Sequence, residues 1–231
     1  GVRIYHSLAR FCRKKVLKGE LVCSSLFLYR GEKMGAIQDA LATFQHMMGY
    51  KYKFVISYKK IAYPLELNFD AKDFRHMAGL HYLHDIDIPK TPKVLFDKIR
   101  NEIISDEYLK ESVFYLQIEE SYAKVKDRIF GLKFLEQFLD SKNLICRYVK
   151  YRNIYSSIDA EYLIKSTVNH VTAYIFLRKR DKKSNDYCIC SFFIEPESEY
   201  NGINVYWLSK INLSNETEDI LYDRLNKDVT K

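Results

Sequence analysis

Apolar residues recur every three or four positions in four stretches of the first 140 residues. This is the spacing of an amphipathic helix, whose apolar side packs against a protein core. Gly49 directly follows the first stretch and predicts its end, because glycine readily takes the backbone conformation that ends many helices. We therefore predict a largely helical N-terminal part. Its helices are expected at residues 33–48, 94–103, 108–113 and 117–140.

Strands are predicted wherever apolar and polar residues alternate along the chain. Residues 52–58 and 65–69 alternate in this way, and they predict a β-hairpin joined by residues 59–64. Beyond residue 141, short segments rich in β-branched and aromatic residues predict an antiparallel meander over residues 142–211. The predicted fold class is α+β, with N-terminal helices and a short hairpin packed on a C-terminal four- or five-stranded antiparallel meander sheet.

Charge and composition divide the chain further and indicate its partners. We predict a basic N-terminal arm at residues 1–30, a single α+β domain at 31–212, and a tail or short helix at 213–231. The net charge is +7, and the 19 tyrosines and 14 phenylalanines supply aromatic rings. This composition suits contacts with a phosphate backbone and stacking on bases. A solvated basic surface is the alternative interpretation, since charge speaks to association rather than to fold.

The cysteines and the apolar runs indicate where the protein works. Five cysteines at irregular spacing favour reduced, buried thiols and a cytoplasmic location. Every uninterrupted apolar run is shorter than the roughly 20 residues that a membrane span needs. We therefore expect no contact with a membrane.

Three of the six histidines lie in one short segment, FDAKDFRHMAGLHYLHDID. They are His76, His81 and His84. A helix is predicted here, with Asp70 or Asp73 as its N-cap, because aspartate accepts hydrogen bonds from the free amides of a first helical turn. Gly79 lies inside this predicted helix, where it costs about 1 kcal/mol relative to alanine. Its presence indicates close packing or close approach of a ligand.

A zinc site is one alternative for these histidines, with Asp85 and Asp87 as further ligands. On a helix, however, His76 and His81 would diverge by about 140°. Two zinc ligands on one helix are expected on the same face. The spacing therefore disfavours a zinc site, and no metal ligand is predicted.

Two motifs in the chain resemble those of a known nuclease family. The first is F-x-H-x-x-G-L at residues 74–80, and the second is S-F-F at residues 191–193, which follows a strand at 174–177 and a basic turn. In this order they resemble the Barnase–EndoU–colicin–RelE-like (BECR) nucleases of phages and mobile elements, over roughly residues 33–212. The resemblance implies a metal-independent RNA endonuclease with no cofactor, built of helices on a four-stranded antiparallel sheet. It assigns catalytic roles to one residue of each motif, His76 and Ser191.

Metal-independent cleavage of RNA uses the 2′-OH of the substrate as nucleophile. It needs a base, an acid, and groups that stabilise the charge on the phosphate. Histidine titrates near neutral pH, and arginine, lysine and hydroxyl groups bind phosphate. The candidate catalytic residues are His76, Ser191, His81 and His170. The candidate phosphate-binding residues are Arg75, Lys165, Thr167 and Lys210. Each of these also has a structural interpretation, as a core, turn or surface residue.

Three functions stay open at this point. The first is an RNA endonuclease of a bacterial mobile element or phage, acting as a toxin that a protein inhibitor or antitoxin would bind. The second is a non-catalytic nucleic-acid-binding or protein-interaction module on the same scaffold. The third is an ADP-ribosyl-transferring toxin, for which Glu195 is the candidate catalytic glutamate.

Overall fold

The computed structural model describes five stretches of the chain, all within one compact unit. They are residues 35–58, 61–115, 125–148, 158–195 and 203–224. The basic arm predicted at residues 1–30 lies outside them, and the predicted domain limits stay a prediction. No helix in these stretches is both long enough and apolar enough to cross a membrane.

The described helices all lie before residue 141, which confirms the predicted helical part. They are α1 Ala36–Met47, α2 Phe74–Met77, α3 Pro92–Arg100, α4 Asp106–Lys110, α5 Val125–Leu132 and α6 Leu135–Asp140. Two short 3-10 turns, Ala71–Asp73 and Leu80–Tyr82, flank α2. The helix predicted over 117–140 is divided, since α5 ends at Leu132 and α6 begins at Leu135.

The described strands form one nine-stranded sheet. They are β1 Tyr50–Tyr58, β2 Ile61–Asn68, β3 Leu144–Arg147, β4 Tyr162–Val168, β5 Val171–Lys179, β6 Asp186–Glu195, β7 Ile203–Asn204, β8 Trp207–Asn212 and β9 Glu218–Asp223. Their order across the sheet is β7-β3-β4-β5-β6-β2-β1-β8-β9. Neighbours are antiparallel except β2 and β6, which pair in parallel at Glu66 and Leu67. The α+β class is confirmed, whereas a separate four- or five-stranded meander is not, because the predicted hairpin is built into the same sheet.

The sheet curls back on itself through one chain segment. Ile203 and Asn204 of β7 pair with β3, whereas β8, which begins at Trp207, pairs with β1. Between them, the amide of Tyr206 donates to the carbonyl of Val55 on β1 over 2.9 Å. This segment therefore ties the N-terminal hairpin to the strands that follow the helices.

The two faces of the sheet bury different clusters. The larger cluster lies between sheet and helices and includes Phe44 of α1, Ile129 of α5 and Phe192 of β6. The helix α5 approaches β6 closely, since a Cβ on Gly131 would lie 2.8 Å from the Phe192 ring. Full burial of an aromatic side chain of this kind stabilises the fold by about 1.5–3 kcal/mol. The smaller cluster consists of Tyr148, Leu163, Tyr174 and Phe176.

The short helix, one of the two alternatives predicted for residues 213–231, is wrong where the chain is described. Glu218–Asp223 is strand β9, and it pairs antiparallel with β8. One of its residues, Ile220, lies opposite Ser209. The open edge of β8 supplies backbone partners there, and such pairing outweighs a weak local preference for helix.

Candidate active site

A cleft of about 240 Å³ opens where α2 and the following turn meet β5 and β6. It contains both residues to which the family resemblance assigns catalytic roles, His76 and Ser191, although these lie far apart in the sequence. The polar residues that line the cleft are Asp73, His76, Tyr82, Asp159, Arg178 and Ser191. The cleft therefore combines an imidazole, hydroxyl groups, a guanidinium and two carboxylates.

A capping box starts the segment that carries His76. The carboxylate of Asp70 accepts from the amide of Lys72 over 3.1 Å, and that of Asp73 accepts from the amide of Asp70 over 2.9 Å. Just after β5, Arg180 donates to Asp73 over 3.2 Å and to the carbonyl of Asn68 over 2.9 Å. The predicted capping role of Asp70 is confirmed, and the Asp73–Arg180 pair fixes the start of α2 against the sheet.

Gly79 ends the helix that the sequence predicted to be continuous. Its φ is +72°, in the left-handed region that glycine adopts without a clash from a Cβ. The chain turns at this point, and His81 falls on the 3-10 turn after α2. The rings of His76 and His81 then lie only 4.6 Å apart, centroid to centroid. The expectation that they diverge is therefore wrong, because it assumed an unbroken helix.

The surroundings of the two histidines favour their neutral forms. Partial burial, followed by the charges of Arg75 and Arg178, lowers the pKa of His76, and Asp73 opposes this effect. Burial and the neighbouring His76 lower the pKa of His81 to about 4. A neutral imidazole has a free nitrogen lone pair at neutral pH, which a general base requires.

A buried arginine lies behind Ser191. Arg128 of α5 is only 2% exposed, and its Nη1 donates to the Ser191 hydroxyl over 3.5 Å. Its guanidinium carbon also lies 5.4 Å from the centre of the Tyr82 ring. A Cβ on Gly79 would lie 2.8 Å from Cδ of Arg128, so the glycine makes room for this side chain. Arg128 thus connects the hydroxyl, the tyrosine and the turn that positions the histidines.

A bulge shapes the β5–β6 side of the cleft. Phe176 pairs with Ser191, and the register then shifts, which leaves Cys190 as the extra residue. Cys190 donates through Sγ to the carbonyls of Asp159 and Phe176, each over 3.4 Å. Burial raises the pKa of this thiol to about 12. Cys190 is therefore a neutral donor that holds the segment before β4 against the sheet, and it lacks the thiolate of a nucleophile.

Sequence reasoning missed Arg128 and Arg178. Arg128 lies between Val125 and Ile129 on the apolar stripe of a helix, an unusual place for a charge that could have signalled a buried role. Arg178 falls in the basic turn that the sequence suggests after the strand at 174–177, but it belongs to β5 and lines the cleft. Its side chain is exposed, and a guanidinium is a group that binds phosphate.

Three predicted residues lie on β4 and the turn after it, outside the cleft lining. His170 is in the β4–β5 turn at φ +64°, six positions before Phe176 and so about 20 Å away along an extended strand. Thr167 bonds through its hydroxyl to that of Thr172, 3.0 Å away, near the same turn. Lys165 pairs with Tyr174 on the inner part of β4. The structure therefore does not bring them to His76.

Lys210, a predicted phosphate ligand, lies in a different part of the fold. Its ammonium contacts Glu136 and, at 3.3 Å, Asp140, both on α6. The rings of Tyr50 and Tyr52 lie 4.6 and 5.6 Å away, centre to nitrogen. The side chain is 9% exposed. Lys210 thus links β8 to α6 and does not face the cleft.

The zinc alternative finds no support in the described part of the chain. Nowhere in it are three His, Cys, Asp or Glu side chains arranged to hold a metal ion. His84 is exposed, with its ring 6.0 Å from that of Phe114. The carboxylate of Asp85 accepts from Ser112 and from the amide of Val113. The side chain of Glu195, the candidate for ADP-ribosyl transfer, lies outside the part of the structure that is described.

Comparison with known protein families finds a match over most of the chain. The family model described as phage-Barnase-EndoU-ColicinE5/D-RelE like nuclease 4 matches residues 36–227, a range that includes every residue of the cleft. No curated protein and no solved structure matches the chain.

Proposed function

The chain belongs to this phage Barnase-EndoU-ColicinE5/D-RelE-like nuclease family, and we propose that it is an endonuclease that cleaves RNA through the substrate's 2′-OH without a metal ion. The observation that carries the proposal is the shared cleft of His76, Ser191 and Arg178. Nuclease family membership implies contact with nucleic acid, and the cleft supplies groups for the chemistry.

His76 is the proposed general base. It is exposed to solvent at the cleft, and its pKa lies below the ordinary value because of partial burial and two nearby arginines. It therefore takes the proton from the 2′-OH as the 2′ oxygen attacks the phosphorus. His81 is the deeper ring, and we assign it a positioning role against His76 instead of the catalytic role that the sequence favoured.

Two arginines are proposed to stabilise the charge on the phosphorane. Arg178 is exposed and can bind two phosphate oxygens with its fork of N–H donors. Arg128 stays buried and holds the hydroxyl of Ser191, which is then free to donate its proton toward the phosphate. Preorganised donors of this kind commonly contribute 10²–10³-fold each to a rate (about 2.7–4 kcal/mol).

The leaving 5′ oxygen must be protonated as its bond to phosphorus breaks. We propose that Tyr82 supplies this proton, because its hydroxyl-bearing ring lines the cleft and lies beside the cation of Arg128. The products are then a 2′,3′-cyclic phosphate and a free 5′-OH.

Cleavage of RNA in EDTA tests the proposal. His76→Ala should reduce the rate by roughly 100-fold or more, the usual contribution of a general base. His84→Ala is the matched control, because His84 belongs to the same segment, is exposed and does not line the cleft. Equal rates for wild type and His76→Ala would overturn the proposal. Salt-sensitive RNA binding with no cleavage at all would favour the non-catalytic binding module.

A further inference from the structure

A second cleft, of about 260 Å³, is lined by residues from both ends of the sheet order. Its walls come from the residues just before β3, from β8 and from β9. None of its residues belongs to the cleft that holds His76. The residues that matter for recognition are Lys142, Asn143, Tyr222 and Arg224.

Asn143 gives this cleft a buried acceptor without a partner. The residue is 3% exposed, and its Nδ2 donates to the carbonyl of Leu139 over 2.8 Å. That bond fixes the orientation of the amide. Its Oδ1 is buried and accepts no hydrogen bond from any described residue. Buried acceptors are nearly always satisfied, so a donor from a water molecule or from a bound ligand is the expected partner.

Two cations and an aromatic ring flank this acceptor. Lys142 and Arg224 are exposed, and neither forms an ion pair with any described carboxylate. The guanidinium carbon of Arg224 lies 5.7 Å from the centre of the Tyr222 ring. The Tyr222 side chain is partly exposed and also packs against the main core. Cations beside an accessible ring suit a phosphate joined to a planar base.

We propose that this cleft binds one nucleotide of the RNA strand, away from the bond that is cut. Lys142 and Arg224 hold its phosphate, Tyr222 stacks on its base, and Asn143 accepts from a base amino group or ribose hydroxyl. This inference rests on the proposed function, since it makes the second cleft a subsite of the same substrate. The subsite increases affinity for RNA and leaves the chemical step unchanged.

The test compares steady-state cleavage of a single-stranded RNA of about 20 nucleotides, long enough for a typical single-strand site of up to ~16. Lys142→Gln with Arg224→Gln should raise KM about tenfold, leave kcat within about twofold, and reduce the salt slope of binding by about 1 per lost cation. Lys90→Gln with Lys93→Gln is the control of equal charge, because both lysines are exposed and line neither cleft. An equal KM for the two double variants would overturn the proposal while the nuclease activity stood.

A second variant separates stacking from charge. Tyr222→Leu keeps apolar contact with the core but removes the ring, and it should raise KM about tenfold, within the range measured for loss of one stacked base. Tyr222→Phe keeps the ring and should therefore have the wild-type KM. Wild-type KM in Tyr222→Leu would contradict stacking.

A direct probe keeps this subsite testable even if the protein cleaves no RNA. Adenosine 5′-monophosphate is titrated into the wild-type protein, and the amide resonances of Lys142, Asn143 and Arg224 are followed by NMR. Chemical shift changes that the nucleotide causes in the wild type but not in the double variant support a nucleotide site, whether or not the protein proves to be a nuclease. If these resonances do not shift and the double variant binds RNA as well as the wild type does, the proposed subsite is wrong.

Discussion

His76 and His81 differ in their surroundings although their rings lie 4.6 Å apart. His76 is exposed, whereas His81 is partly buried and its pKa is lowered to about 4. Two adjacent imidazoles cannot both carry a proton without repulsion. The pair therefore places an exposed imidazole beside a partly buried one, and the surroundings of both favour the neutral form, which the proposed proton abstraction requires.

Removal of a neighbouring charge should shift the titration of His76. The charge of Arg75 lowers the pKa of His76, so Arg75→Gln is expected to raise that pKa toward its ordinary value. The acid limb of the pH–rate profile for cleavage should move to higher pH by the same amount, because the base must be neutral to act. NMR titration of the His76 ring measures the shift directly. An unchanged or lower pKa in Arg75→Gln would contradict this electrostatic account.

His81 should make the fold sensitive to acid. In the unfolded chain it binds a proton near its ordinary pKa of 6.5, but in the folded protein only near about 4. Its contribution to stability is therefore complete above pH 6.5 and is lost as the pH falls toward 4. Because His81 is partly exposed, we expect the free energy of unfolding to fall by only roughly 1–2 kcal/mol by pH 4.5.

Urea unfolding at pH 7 and pH 4.5 measures this loss. His81→Gln cannot titrate, so the difference in free energy of unfolding between the two pH values should shrink in this variant. Identical pH dependence in wild type and His81→Gln would show that other groups cause the acid sensitivity.

Among the elements, the short α2 and its turns decide the geometry of the site. The capping box sets where α2 starts, and Gly79 sets where it ends. The left-handed φ of Gly79 redirects the chain, and its missing side chain admits Arg128. One residue thus determines both the contact of the histidines and the position of the buried arginine.

Gly79→Ala should damage the fold and the site together. The added Cβ would take an unfavourable φ and lie 2.8 Å from Cδ of Arg128, so we expect a loss of about 1–3 kcal/mol in the free energy of unfolding. Cleavage should fall as well, measured under conditions where the variant stays folded. Gly49→Ala is the control, because Gly49 is outside the left-handed region and its Cβ would meet only the His46 carbonyl, at 3.3 Å. Equal effects of the two substitutions would contradict the role given to Gly79.

Sequence patterns predicted the elements whose formation depends on residues that lie close together along the chain. Helix α1 and the hairpin β1–β2 follow from periodicity, and the Asp70 cap follows from residue type. The break at Gly79 escaped prediction because a glycine inside an apolar pattern is compatible with a continuing helix. Strand β9 escaped it because its partner β8 is supplied by tertiary structure.

At the scale of the whole molecule, long-range pairing assembles the site. His76 and Ser191 were predicted from two separate motifs, and their common cleft exists because β6 packs beside α2. Lys210 shows the opposite outcome, since a basic residue in a nuclease sequence was expected to bind phosphate and instead lies between two carboxylates of α6. Sequence alone does not distinguish a cation that faces substrate from one that faces its own fold.

Lys210→Met should lower stability and spare cleavage. Burial alone lowers the pKa of Lys210, but hydrogen bonds and charge from Glu136 and Asp140 outweigh it and raise that pKa. Loss of the ammonium leaves two carboxylates facing each other, and roughly 1–3 kcal/mol should be lost because the pair is only partly exposed. Lys98→Met, which breaks an exposed pair with Asp87, should cost under about 1 kcal/mol. A folded Lys210→Met protein with weaker RNA binding would revive the phosphate role.

The most direct test of the account is the chemistry of the cut. An RNA oligonucleotide is cleaved in EDTA, its ends are identified by mass spectrometry, and the same oligonucleotide with a 2′-O-methyl group at the cut nucleotide is compared. The account predicts a 2′,3′-cyclic phosphate, a 5′-OH, and no cleavage of the methylated bond, because His76 would have no 2′-OH proton to remove. Cleavage of the methylated oligonucleotide, or products with 5′-phosphate ends, would contradict it.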